Sequence, residues 1–436
     1  MERSAGVSIR RPRTRRVGRG LVGAIAAATL LVGLAACSSD GGAGSDGEEP
    51  GASASSTTRA PAEGAPTEVA SEEELFEVPD PIPDVAHGTL LRYQVMAQSV
   101  SDEATTYRMM YASRSLGGEP IVVTGTAVVP DEPAPPDGRP VLSIGHGTTG
   151  IADSCAPSRQ PPREAALGTI AAERNWITAI SDYEGLGTPG RHPYLVGESA
   201  GRGVLDAAIA VTQLPGAAAS EQLLLAGYSQ GGQAVLFAGE IAPEWAPDLE
   251  VVGTAAGAPV SGLAELFDSF VDGPQAGFAY MMLAGFHAAH PDEAELALVL
   301  TPEGVAWLDV VDDGCKAEVF SAVADHSAGE LLLQTRIDVD PWRVLLEQSE
   351  PGRVAQDAPM LVLHNPADEV IPVAFSEDLV ERLCASGQDV ELRLLPDATH
   401  LAAGAPAFLY GFDWLAARLA GQPTSPTCGA AATSHG

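Results

Sequence analysis

From Pro140 to the C-terminus, short apolar runs rich in β-branched residues alternate with segments whose apolar residues recur at helical spacing. The strand-like runs are "PVLSIG" (140–145), "WITAISD" (176–182), "LLLAGYS" (223–229), "VVGTAAGAP" (251–259), "PMLVLH" (359–364) and "VELRLLP" (390–396). Helical patterns fall near 163–174, 199–213, 230–241, 375–384 and 406–419. Nearly continuous apolar strands are buried on both faces, and a return to a parallel neighbour requires a crossover about as long as a helix. The pattern therefore predicts an α/β fold, with a mostly parallel central sheet and helices on both faces. It is interrupted once. Residues 261–352 carry helical patterns and no clear strand, including "FAYMMLAGFHAAH" (278–290), which is apolar almost all round and suits a buried helix over a pocket.

Within this alternation the pattern G-x-S-x-G occurs twice, as "GESAG" (197–201) and "GYSQG" (227–231). Glycine makes up 47 of 436 residues, so the motif alone decides little. Context does. A nucleophile elbow needs a buried strand directly before the serine and a helix directly after it. Ser229 has Leu223 to Ala226 before it and an apolar helical pattern after it. Ser199 follows "PGRHPYLV", where two prolines and a glycine leave little room for a strand, so it reads as the N-cap of the next helix.

A serine hydroxyl is a poor nucleophile at neutral pH and needs a base to take its proton and an acid to orient that base. Asp368 is placed just beyond the strand "MLVLH", with Glu369 beside it as the alternative. Asp325, Asp338 and Asp340 fall in the interruption and read as solvated. His400 closes "LLPDATH" and completes the order Ser, Asp, His, while His364 reads as packed or loop-bracing and His435 lies near the end. An oxyanion needs fixed donors. One is the backbone N–H of Gln230, after the serine; the other comes from "HGTTG" (146–150), where Gly147, Thr148 and Thr149 are candidates and Thr148 is favoured.

The first 36 residues read differently. Seven arginines precede an apolar run from Leu21 to Leu34, followed by "LAAC" ending at Cys37. This is the layout of a signal peptide, too short for a spanning helix. "LAAC" resembles a bacterial lipobox, which implies cleavage before Cys37 and lipidation of its sulfur; at least two acyl chains would anchor the protein to a membrane stably. Residues 37–70 are small and polar and read as a flexible tether, with folded chain expected over 71–428 (core 71–260 and 353–428) and a disordered tail over 429–436.

The formal charge is −34; removing the leader takes away seven arginines and Glu2, leaving 17 cations against 57 anions, or −40. Such a field argues against nucleic acid as a partner and against direct binding to anionic lipid. With Cys37 spent on lipid, Cys155, Cys315, Cys384 and Cys428 remain. An even number in an exported chain predicts two disulfides, with three connectivities open. No C-x-x-C pair points to a metal, and no cofactor is expected.

Together these residues resemble the secretory lipase family, the α/β-hydrolases that include fungal lipase A. The resemblance is carried by "HGTTGIADSCAPS" (146–158), "SDYEGLGTPGRHPYLVGESAGRGVLDA" (181–207), "GYSQGGQA" (227–234), "NPADEVIP" (365–372) and "DATH" (397–400). It implies an α/β-hydrolase fold of eight core strands with a mainly helical cap inserted between the sixth and seventh, the triad Ser229–Asp368–His400, and the disulfides Cys155–Cys315 and Cys384–Cys428. It also implies hydrolysis of acyl esters, in places at a lipid interface. A short-chain esterase, an acyltransferase on the same site, and a non-catalytic surface lipoprotein of this fold are the alternatives.

Overall fold

The computed structural model describes residues 64–159 and 165–428. The leader, Cys37 with the tether up to residue 63, and the expected tail at 429–436 lie outside the described residues.

Ten strands form one sheet: β1 (Thr67–Glu68), β2 (Leu90–Val95), β3 (Ala104–Arg114), β4 (Pro120–Pro130), β5 (Arg139–Gly145), β6 (Ile177–Ser181), β7 (Ala219–Tyr228), β8 (Glu250–Gly257), β9 (Met360–His364) and β10 (Val390–Leu394). Their spatial order is β1-β2-β3-β4-β6-β5-β7-β8-β9-β10. The pairs from β6 through β10 are parallel, whereas β2, β3, β4 and β6 pair antiparallel in turn. The eight strands β3 to β10 supply the core expected from the resemblance, and β1 and β2 extend its edge.

That extension corrects the expected boundary of the tether. Thr67 and Glu68 pair with Arg92 and Tyr93, and Val69 N–H donates to the Tyr93 carbonyl (2.8 Å). Strand pairing uses backbone groups that every non-proline residue carries, so small polar composition did not reveal it.

The central strands explain their own sequences. Leu223 and Leu225 of β7 enter one apolar cluster with Val204, Leu205, Val235 and Leu379, from helices on one face. Leu224 and Ala226 enter another with Phe412, Trp414 and Leu415 on the opposite face. Period-two alternation between two buried faces is what makes the strand read as unbroken apolar residues. Helices Gly197–Val211, Gln230–Trp245 and Val373–Ala385 cover the first face; Ala165–Ala172 and His400–Leu419 cover the second.

Between β8 and β9 lie the helices Leu263–Phe270, Ala276–Ala289, Pro302–Asp313, Lys316–Val323, Ala328–Leu331 and Trp342–Gln348. They form the cap, with an apolar cluster of their own that also takes in Ile151, Tyr194, Leu195 and Val196 from core loops. Its entry and exit are clasped: the Glu350 carboxylate accepts from Gly262 N–H (2.8 Å) and from Leu263 N–H, at the start of the first cap helix.

The exit is also tied to the core by Glu240, whose carboxylate accepts from Gly352 N–H (2.6 Å). Burial pushes the Glu240 carboxyl up to about 7, with the Gly352 N–H and the Arg353 charge offsetting it only in part. In the unfolded chain the same carboxyl titrates near 4.5. Between these values the folded state keeps a proton that the unfolded state has released, so this group costs stability as pH rises through that window. Glu240→Gln keeps an acceptor for Gly352 and removes the cost. It is expected to be more stable than wild type at pH 8, by up to about 3 kcal/mol, and to show no gain at pH 4. Urea denaturation at both pH values checks this, and an equal gain at both would refute it.

Candidate active site

The turn from β7 into helix Gln230–Trp245 puts Ser229 at φ 60°, ψ −120°. A positive φ at a non-glycine residue is strained by about 1–3 kcal/mol and persists only where its surroundings over-determine it. The flanking glycines supply that packing. A Cβ on Gly231 would drive into the Gly145 carbonyl, and one on Gly227 into the Gly231 carbonyl. The result is a half-buried hydroxyl at the C-terminal end of the central strand.

His400 is the first residue of helix His400–Leu419, whose N-cap Thr399 accepts from Ala402 N–H (3.3 Å). Its Nε2 lies 3.0 Å from Ser229 Oγ, and its Nδ1 lies 2.7 Å from Asp368 Oδ2. Asp368 sits in the turn after β9, where its Oδ1 accepts from Val370 N–H (2.9 Å) and Ile371 N–H (2.8 Å). Burial pushes the Asp368 carboxyl up, but the hydrogen bond and charge of His400, with the two backbone donors, outweigh it and hold the pKa below its usual value. The three residues lie at the C-terminal ends of three parallel strands. Serine hydroxyl to imidazole to carboxylate is the chain that activates a serine and orients its base.

Neighbours brace this chain. His364 is buried, which lowers its pKa and keeps it neutral; its Nε2–H donates to the Ile371 carbonyl (2.9 Å) and its Nδ1 accepts from Ser376 (2.7 Å). Glu369, weighed as an alternative acid, accepts instead from the His400 backbone N–H (2.9 Å). Tyr228 donates its hydroxyl to the His400 carbonyl (2.7 Å). No sequence signal marked Tyr228, because its position in the motif is occupied by any residue.

The "HGTTG" loop follows β5 and stands next to the elbow: a Cβ on Gly147 would lie 3.7 Å from the Tyr228 carbonyl. Thr148 Oγ1 is 2.7 Å from the Tyr194 hydroxyl. The loop is tied to the cap by Lys316 N–H donating to the Thr149 carbonyl (2.8 Å), by a β-bridge between Gly150 and Cys315, and by the disulfide Cys155–Cys315. The second disulfide joins Cys384 to Cys428. Both pairings are those implied by the resemblance. Gln230 occupies the first helical position, where a backbone N–H has no intrahelical acceptor.

Ser199 requires a correction. Helix Gly197–Val211 starts two residues earlier than expected, with Val196 at the N-cap. Ser199 lies inside the first turn, and its hydroxyl donates to the half-buried Glu184 carboxylate (2.6 Å). It is structural, but not as a cap. Among the described residues no group of three or more His, Cys, Asp or Glu is placed to hold a metal ion.

A family model described as Secretory lipase matches residues 166–426, more than half of the chain. The chain belongs to the secretory lipase family. The chain is 26% identical over 400 residues to lipase A of Arthroderma benhamiae, covering 82% of this chain and 81% of that protein. It is 27% identical over 395 residues to a secreted triacylglycerol lipase of Malassezia globosa, covering 82% and 83%. It is also 25% identical over 357 residues to a Mycobacterium tuberculosis protein described as "Probable inactive lipase", covering 77% and 79%. The crystal structure of Candida antarctica lipase A in its closed state has the same fold, with a TM-score of 0.71 at 22% identity, covering 82% of this chain and 88% of that one. Membership of this family makes the chain a carboxylic ester hydrolase, and its family and two disulfides are those of an exported protein.

Proposed function

We propose that this protein cleaves carboxylic esters of acyl lipids through an acyl-serine intermediate on Ser229. The observation that carries this reading is the unbroken run Ser229 Oγ–His400 Nε2 (3.0 Å) and His400 Nδ1–Asp368 Oδ2 (2.7 Å). Ser229 Oγ attacks the ester carbonyl while its proton passes to His400 Nε2, and Asp368 stabilises the imidazolium through Nδ1–H. The tetrahedral oxyanion is received by backbone donors of Gln230 and Thr148. Collapse expels the alcohol, protonated by His400, and water then attacks the acyl-serine by the same relay. No cofactor enters this scheme. The acyl-lipid substrate is supported by the relatives named for triacylglycerol hydrolysis. Lipidation at Cys37, holding the enzyme on the outer face of the cell membrane, is supported by "LAAC" and the polar stretch after it.

The test is hydrolysis of p-nitrophenyl esters from acetate to palmitate, alongside labelling by a serine-reactive phosphonate. Turnover rising toward long chains and one label per chain on Ser229 are expected, and Cys37→Ala should move the protein from the membrane fraction to the medium. A preference for acetate selects the short-chain esterase. Absence of both turnover and label would select the non-catalytic alternative, which the mycobacterial relative described as "Probable inactive lipase" favours.

A further inference from the structure

The stretch "RHPYLVG" (191–197) lies in the block that resembles the family and carries no part of the triad. It is buried from His192 through Gly197 and tightly wound: Tyr194 N–H donates to the His192 carbonyl (2.8 Å), Val196 N–H to the Pro193 carbonyl (3.1 Å), and Leu195 sits at φ 62°. Its side chains reach the oxyanion side of the site.

We infer that His192 and Tyr194 are positioning residues that hold Gln230 and Thr148 in place and tie both to the cap, an inference that rests on the ester-hydrolase reading above. His192 Nδ1–H donates to the Glu184 carbonyl (2.8 Å), which fixes the tautomer and leaves Nε2 to accept from the Gln230 side-chain amide (3.0 Å). Burial lowers the His192 pKa to about 3, so the ring stays neutral and Nε2 stays an acceptor. The direction of the Gln230 N–H is set by the Ser229–Gln230 peptide, and Ser229 is the strained residue of the turn. A pinned Gln230 side chain restrains that peptide from the far side. Tyr194 does the same for the other donor, its buried hydroxyl lying 2.7 Å from Thr148 Oγ1.

The cap rests on this segment at two points. The backbone of Tyr194 occupies the space where a Cβ at Gly285, on cap helix Ala276–Ala289, would stand. Arg191 makes a two-pronged ion pair with Asp312 on cap helix Pro302–Asp313, through Nε (2.6 Å) and Nη2. One short turn therefore touches the cap and both donors.

Tyr194→Phe removes a single hydroxyl and keeps the ring. The double variant His192→Phe/Gln230→Met removes the second tie with apolar groups on both sides, which avoids leaving one partner unsatisfied, and keeps the Gln230 backbone N–H. Each is compared with wild type for kcat and KM on a p-nitrophenyl ester, for affinity toward a trifluoromethyl ketone that forms a tetrahedral oxyanion on the serine, for thermal midpoint and for final phosphonate stoichiometry. The expected result is kcat lowered about 10-fold with KM within about twofold, ketone affinity lowered by the same factor, and one label per chain retained. Unchanged ketone affinity in folded, fully labelled variants overturns the inference and leaves the ester-hydrolase reading standing. Wild type that neither labels nor turns over ester sinks that reading, and the inference with it.

Discussion

Ser229→Ala is expected to lower kcat for ester hydrolysis by about 10⁶-fold, the scale on which serine hydrolases lose activity without their nucleophile. Ser199→Ala, the same change at the other copy of the motif, is expected to stay within about threefold of wild type. The reason is positional. Ser229 Oγ faces His400 Nε2 at 3.0 Å from a strained turn, whereas Ser199 Oγ is spent on Glu184 inside a helix. Removing Ser199 leaves the half-buried Glu184 carboxylate short of a donor, so its cost falls on stability, about 1 kcal/mol. Initial rates on one ester, with a denaturation curve for each variant, separate the two. Full activity in Ser229→Ala would overturn the Ser229–His400–Asp368 relay and the triad implied by the family together.

Asp368→Asn is expected to cost about 10⁴-fold in kcat with little change in stability, and the geometry states why. Val370 and Ile371 donate their N–H groups to Oδ1, so the amide oxygen of an asparagine stays on that side. Its NH₂ then takes the place of Oδ2 and points a donor at His400 Nδ1. The imidazole must answer by moving its own proton to Nε2, the atom that has to accept from Ser229. The loss is one of tautomer, on the scale known for serine proteases. Asp368→Ala, which leaves His400 free to choose its tautomer, should be less damaging than the asparagine variant if this account holds. Equal losses would point to charge alone.

Much of this site was legible because it depends on local pattern. A strand buried on both faces must be apolar throughout, a tight strand-to-helix turn must have glycine where a Cβ would meet a carbonyl, and three strand ends fix the order Ser, Asp, His. The first two constraints act between near neighbours in the chain and leave marks there, and the third shows as an order of residue types along it. Other features left none. β1 joins the sheet through backbone groups that Thr67 and Glu68 share with every non-proline residue. The role of Ser199 turned on where the helix begins, a boundary that propensity places loosely.

Sequence alone therefore determined the α/β class, the interruption filled by the cap, and the choice of Ser229, Asp368 and His400 as candidates. Only the tertiary structure brought His400 to Ser229 across 171 residues, made Tyr228 and Glu369 partners of the His400 backbone, and set His192 against the elbow and Tyr194 against the HGTTG loop. Periodicity records whether a side chain is buried. What it is buried against depends on how distant segments meet, and a histidine or tyrosine inside a loop looks the same in sequence whichever neighbour it finds.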